Sequence, residues 1–427
     1  MKRTRPLAGA LVVGSVLALA ACGGSSSSPG GSAGSTGGGK NLEVFSWWTS
    51  GSESAALKQL IDAYKGASSG AKVTNGAVAG GGGGNAQAIL QTRLQGNDAP
   101  DTWQTHPGDA IKQYVDAGYV TDLQSVYAKD GLTKVMPKAL VNAESTNGKV
   151  YGVSTGAHRG NVLWFNKKLL KAAGVAEPRP GYTEDQFISD LAKLKAKGTT
   201  PLCVGAKDPF AAPQLFENTL LGTIGPDKWN QLVAGKLAWT SPEVKRAATT
   251  FARLLPYVDS DASATTWDQV TKKLAAGDCA FESMGDWAYG ELTKDGVREG
   301  TDFGYVPHPG SNGSFVMVVD TFVVAKNAKH PDAAHKWAAV IASKAAQLAF
   351  NKDKGSTPVR TDVDVSSLPP YQRQAAKDFR SNTLVWSIAH GEATSPQFQQ
   401  SFYDAVTQFM QSKDVNAFTQ SLSSAGA

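Results

Sequence analysis

Cysteine is scarce: three in 427 residues, Cys22, Cys203 and Cys279. Histidine is thin as well. The six present (His106, His158, His308, His330, His335 and His390) show neither H-x-x-x-H nor any Cys/His metal spacing, so no metal is expected. The body carries no block of Lys or Arg. The formal charge of +5 includes Lys2, Arg3 and Arg5 at the extreme N-terminus, and the rest of the chain is close to neutral, which argues against nucleic acid as a partner. The glycine run Gly80 to Gly84 lies where a phosphate loop would sit. Yet Asn85 takes the last glycine position of a G-x-G-x-x-G, no Lys-Ser or Lys-Thr comes after it, and the run reads as a permissive turn. No G-x-S-x-G sits at a strand-to-helix turn, so a serine hydrolase has little support, and no cofactor is implied. Repeats and coiled-coil heptads are absent too.

What is present begins at the N-terminus. Lys2, Arg3 and Arg5 precede an apolar run from Leu7, too short to span a bilayer, which ends in Leu19-Ala20-Ala21-Cys22. A cysteine behind small residues resembles a bacterial lipoprotein box. Residues 1–21 are therefore expected to be a signal peptide, with Cys22 acylated and anchoring the chain to the outer face of the cell membrane. Residues 23–39 hold only Gly, Ser, Ala, Thr and one Pro, the composition of a flexible leash.

The remaining body of roughly 390 residues is large enough for two domains with their own cores. No second apolar run there is long enough to cross a membrane. Export would place Cys203 and Cys279 in an oxidising setting, where they form either one disulfide or two separate core thiols.

Strand and helix signals alternate. Strands are expected at Leu42 to Trp47, Val73 to Ala79, Val150 to Val153, Val162 to Asn166, Pro201 to Gly205, Cys279 to Met284 and Phe315 to Ala325. A helix carrying Leu57, Leu60, Ile61 and Tyr64 comes after the capping-box spacing Ser50 to Glu53, and another spans Ala86 to Gln95. Thr183-x-x-Gln186 and Ser241-Pro242 mark further helix starts. The alternation indicates α/β layers.

The aromatics carry more information. Trp164, Trp229, Trp239 and Trp337 read as core residues. Trp48 and Trp287 stand among Ser, Gly, Asp and Glu at strand ends, where α/β proteins place ligands. A sugar ring suits such a setting, because its C–H faces stack on indole while its hydroxyls bind acids, His, Arg and Lys.

The phrases VFSWWTSGSE, APDTWQTHPGD, VYGVSTGAHRGNVLWFNKKLL, GDCAFESMGDWA, GYVPHPG, DTFVVAKNAKHPDAAHKWAAVIAS and FNKDKGSTPVR extend this reading. On them the chain resembles, from about Leu42 to its end, the family-1 solute-binding proteins of sugar ABC importers, and within these the glucose- and galactose-type lipoproteins. The resemblance implies a type II periplasmic-binding-protein-like fold, with two α/β lobes joined by three crossings near Tyr151 to Thr155, Pro307 to Gly313 and Lys354 to Pro358. One lobe would comprise residues 41–152 with 312–354, the other 153–311 with 355–427.

It also implies a ligand site. Trp47 and Trp48 match the aromatic doublet and Glu53 the acid after it. Gln104 and His106 match the polar pair of the next loop, His158 and Arg159 the pair after the first crossing. Trp267 and Trp287 match stacking rings of the second lobe, with Asp286 before the latter. Asp320, Lys354 and His390 complete the set. Three of these have simpler readings: Glu53 and Asp286 as helix caps, Arg159 as the partner of a carboxylate. The implied activity is capture without chemistry: a monosaccharide closes the lobes, and the closed monomer docks on a membrane permease driven by a cytoplasmic ATPase. The rival from another class is an anchored glycosidase or lyase using Glu53 with Asp320 or Asp286.

Overall fold

The computed structural model describes residues 41–49, 51–80 and 83–426. The signal segment, Cys22, the Gly/Ser tail and the capping residue Ser50 lie outside the described residues. Residues 38–427 form one compact unit.

In chain order the strands are β1 (Asn41–Phe45), β2 (Lys72–Asn75), β3 (Thr102–Thr105), β4 (Ser145–Thr146), β5 (Lys149–Val150) and β6 (Gly152–Arg159). They continue with β7 (Val162–Asn166), β8 (Leu202–Cys203), β9 (Phe281–Ser283), β10 (Phe303–Pro307), β11 (Ser314–Val324) and β12 (Thr383–Trp386). Two sheets organise the body. The first has the order β12-β11-β3-β1-β2, with β6 also paired to β11; the second has the order β10-β7-β9-β8. β1 runs parallel to β2 and β3, while β11 is antiparallel to β3 and β6. β4 and β5 form a separate ribbon.

Local sequence explains these elements. All of β11, SFVMVVDTFVV, is buried, as a nearly continuous apolar run requires when both faces of a strand are covered. Helix Gly51–Ala67 buries Ala56, Leu57, Leu60 and Tyr64, one stripe at helical spacing. Helix Glu184–Ala196 opens on the complete Thr183/Gln186 capping box, and helix Pro242–Leu254 on Ser241 with proline in its first turn. Helix Ala211–Val233 breaks at Gly225, ahead of Pro226.

Each sheet has its own core. Trp103, Trp337 and Phe350 belong to the first, and Trp164, Phe216, Trp229 and Phe251 to the second. Trp164, Trp229, Trp239 and Trp337 are all buried, as expected of core residues. The architecture is a two-lobed α/β fold.

The expected boundaries need moving. β6 stays paired with β11 as far as Arg159, so the chain leaves the first sheet at 160–161 rather than at 151–155. β12 pairs with β11, and Val359 and Phe379 pack in the first core, so the segment after 355 is shared between the lobes. Cys203 and Cys279, on and beside the parallel pair β8 and β9, are joined as a disulfide with a Cα separation of 6.1 Å.

Candidate functional site

The chain ends of several strands meet at the seam between the two sheets. Trp47 and Trp48 follow β1, and His106 follows β3. Asp320 lies on β11 next to Thr321, the residue paired with Thr105. On the β6–β11 ribbon, His158 pairs with Val318 and Gly156 with Asp320, so period-2 alternation sends His158, Val318 and Asp320 to one face. A bulge follows Asp320, where the register slips. From the second lobe come Trp287, opening helix Trp287–Lys294 just after β9, and Trp267, opening helix Trp267–Ala276. Phe210 precedes helix Ala211–Val233.

A small cavity lies between these side chains, lined by Trp47, Trp48, Glu53, His106, His158, Phe210, Trp267, Trp287, Val318, Asp320, Lys354 and His390. The rings approach one another across it. Trp287 lies 5.3 Å from His158 and 5.2 Å from His390, and His106 lies 5.4 Å from Trp47 and 6.0 Å from His390, centroid to centroid. Gly83, from the glycine run, takes φ +81° and lies against Trp47. A Cβ there would sit 2.8 Å from the indole, so only a bare backbone permits that approach.

Charge in this space is paired. His158 places Nδ1 at 2.5 Å from Asp286 and Nε2 at 2.9 Å from Asp320. Ionised carboxylates only accept, so both ring nitrogens donate and the imidazole is a cation. Burial opposes that charge, but Asp286 and Asp320 outweigh it and raise the pKa above the ordinary histidine value. Burial would likewise raise Asp320, yet Lys354 and His158 hold it below the usual carboxylate range. Lys354 contacts Glu53 at 2.6 Å and lies over the face of Trp48. Burial works against its ammonium too, but Glu53 and Asp320 keep its pKa above that of a free lysine. His106 and His390 are neutral, both pushed down chiefly by burial.

Three of the expected residues do not line the cavity. Arg159 follows His158 on β6, and strict alternation turns it to the opposite face, where it pairs with Asp378 at 2.6 Å and donates to the Ser314 carbonyl. Asp286 lies behind His158, taking the Arg159 backbone N–H and the Tyr371 hydroxyl on its second oxygen. Gln104 also stands one layer back, accepting from the Trp47 N–H and donating to Asp320. Phe210 and Val318 line the cavity without having been expected. Val318 was accessible from its period-2 relation to Asp320, whereas nothing near Phe210 in the chain signals its position.

Two lobes with a ring-lined, charge-balanced space at their seam define a ligand-binding protein of the bilobed kind. Residues 48–348 match the family of bacterial extracellular solute-binding proteins. The chain belongs to that family, whose members bind solutes outside the cytoplasm and are not enzymes. It is 33% identical over 412 residues to an uncharacterized ABC transporter extracellular-binding protein of Pyrococcus horikoshii, covering 96% of this chain and 92% of that one. It is also 33% identical over 375 residues to a probable sugar-binding periplasmic protein of Brucella melitensis, covering 86% and 87%. The fold is similar to that of the bacterial solute receptor AcbH, with TM-score 0.79, 18% identity, and 90% and 97% of the two chains covered.

The glycosidase reading fails on family. No helix among the described residues is long and apolar enough to cross a membrane.

Proposed function

We propose that this chain is the substrate-binding component of a sugar ABC importer, capturing a monosaccharide between its lobes and presenting it to a permease with its cytoplasmic ATPase. The observation that carries this reading is the cavity. Indoles stand on both sides of a small space, and every ionised group in it is already paired, which suits an uncharged polyhydroxylic ligand. The sugar-binding name of the Brucella relative supports the class of ligand. Glucose is the first sugar to try. Binding shifts lobes that exchange between open and closed towards the closed form, because the ligand touches both faces only there. Cys22, acylated after signal cleavage, ties the protein to the outer face of the membrane through the Gly/Ser leash.

The test is calorimetric titration of the compact body, residues 38–427, with glucose, galactose, mannose, xylose and maltose, alongside Trp287→Ala. One monosaccharide should bind one-to-one and lose at least about tenfold in affinity in the variant. Binding of maltose alone would overturn the single-ring assignment, and binding of none would remove the sugar.

A further inference from the structure

His390 enters the cavity from the loop after β12, and that loop is built around a carboxylate from elsewhere in the chain. Glu217, fully buried on helix Ala211–Val233, accepts from the backbone N–H groups of Ile388 at 2.6 Å and Ala389 at 2.8 Å. Successive N–H groups of this kind form a nest for an anion. The Ser387 hydroxyl reaches the same carboxylate, at 2.9 and 3.0 Å from its two oxygens.

The hydrogens can then be assigned in turn. A serine hydroxyl has one hydrogen to give and two lone pairs to offer. Glu217, when ionised, can only accept and so takes the hydrogen. The oxygen that remains accepts the His390 backbone N–H at 3.0 Å and faces His390 Nδ1, also at 3.0 Å. An oxygen whose only hydrogen is committed can meet Nδ1 only as an acceptor, so Nδ1 carries the ring hydrogen. Burial, with His106 and His158 nearby, keeps the ring neutral, and Nε2 is left with a bare lone pair. Among the described residues no protein group is hydrogen-bonded to that nitrogen, and the ring lines the cavity.

We propose that Ser387 and Glu217 are positioning residues that lock His390 in its Nδ1–H tautomer, so that Nε2 serves as an acceptor for a ligand hydroxyl. The proposal rests on the reading of the cavity as a sugar site and adds a selection rule to it. At this point of contact a hydroxyl fits, whereas a fluorine or an ether oxygen, having no hydrogen to give, does not. His106 reaches the same tautomer by another route, donating from Nδ1 to the Val319 carbonyl at 2.9 Å, and so provides an internal reference.

Long-range ¹H–¹⁵N spectra of residues 38–427 labelled with ¹⁵N-histidine decide the matter, with His390 assigned through His390→Gln. Burial pushes Glu217 up to about 7 against the pull of its donors, so the spectra are taken at about pH 8, where it is ionised. His390 should show a protonated Nδ1 and a bare Nε2. Ser387→Ala should move it towards the Nε2–H form, leave His106 unchanged, and weaken the best-binding monosaccharide by roughly tenfold or more. Glu217→Gln should move the His390 signals in the same direction. A protonated Nε2 in the unaltered protein, or a tautomer indifferent to Ser387→Ala, overturns the proposal. If no sugar binds, the function proposed above falls, while the nitrogen spectra still decide for or against the lock.

Discussion

Removing one carboxylate, that of Glu291, should open the molecule without unfolding either lobe. Glu291 lies on helix Trp287–Lys294 of the second lobe and is 2% exposed. Its Oε1 accepts from the Ser52 N–H at 2.5 Å and the Ser52 hydroxyl at 2.8 Å, at the start of helix Gly51–Ala67 in the first lobe. A first-turn N–H has no partner within its own helix, and the helix dipole favours an anion there. Gly51 makes room for it: φ is +61°, and a Cβ would lie 1.9 Å from Oε1. A charged hydrogen bond contributes about 1.5–3 kcal/mol, and because this one joins the lobes its loss falls on the closed form. Glu291→Ala should therefore weaken ligand binding by about tenfold to about a hundredfold. Glu291→Gln keeps a neutral acceptor in place and should cost about 0.5–1.5 kcal/mol less than the full loss. Gly51→Ala, which displaces the carboxylate, should resemble the alanine variant. Calorimetry gives the affinities, X-ray scattering without ligand the openness, and thermal melting the integrity of the lobes. If Glu291→Ala binds within about twofold of the unaltered protein and scatters identically, the contact is not a latch and the reasoning fails.

The packing sets three further outcomes. His158 has a folded-state pKa above its unfolded value of about 6.5, so its contribution is complete below that pH and is lost as pH rises through the folded value; the melting-temperature gap between the protein and His158→Gln should narrow towards alkaline pH, and a gap that widens would contradict the imidazolium. The groups facing that ring are Asp286 and Asp320, which favour its charge, and Lys354, which opposes it. The Cys203–Cys279 bond closes a loop with a sequence separation of 76, worth about 4.5 kcal/mol on a chain-entropy estimate, so reductant should lower the denaturation midpoint, and an unmoved midpoint would refute this. Thr183→Ala removes a complete capping box far from the cavity and should lower stability by about 1 kcal/mol in denaturant titrations while leaving ligand affinity unchanged.

How far the sequence could be read depended on the range of the interaction involved. β11 announced itself as an apolar run, and the Thr183 and Ser241 starts are set by residues a few positions apart. β3, β10 and β12 escaped notice because TWQT is short and half polar, FGYVP contains glycine and proline, and TLVW gains its partner only across the fold. Within the site, motif phrases brought the Trp47-Trp48 doublet, His106, Trp287 and Lys354 to the cavity. They placed His158 and Arg159 together because they adjoin in sequence, and the strand separated them because adjacent residues face opposite ways. Glu291 and Glu217 could not be found that way. Their partners lie 239 and 170 residues off, and an isolated glutamate in a helix looks like any solvated one.

That difference bears on what the cavity can select. The cations and anions lining it pair off: Asp320 holds His158, which Asp286 also holds from behind, and Glu53 holds Lys354. A charged solute would have to break one of these buried pairs, a cost of several kcal/mol that a single new contact does not recover. A neutral solute needs only to exchange hydrogen bonds with their free lone pairs and donors. Discrimination then passes to the groups with a fixed sense, an unpartnered indole N–H at Trp48 and the bare nitrogens of His106 and His390. Those senses are set by Val319, Ser387 and Glu217 behind the wall, so a survey of the lining residues alone would miss what decides which hydroxyl is admitted.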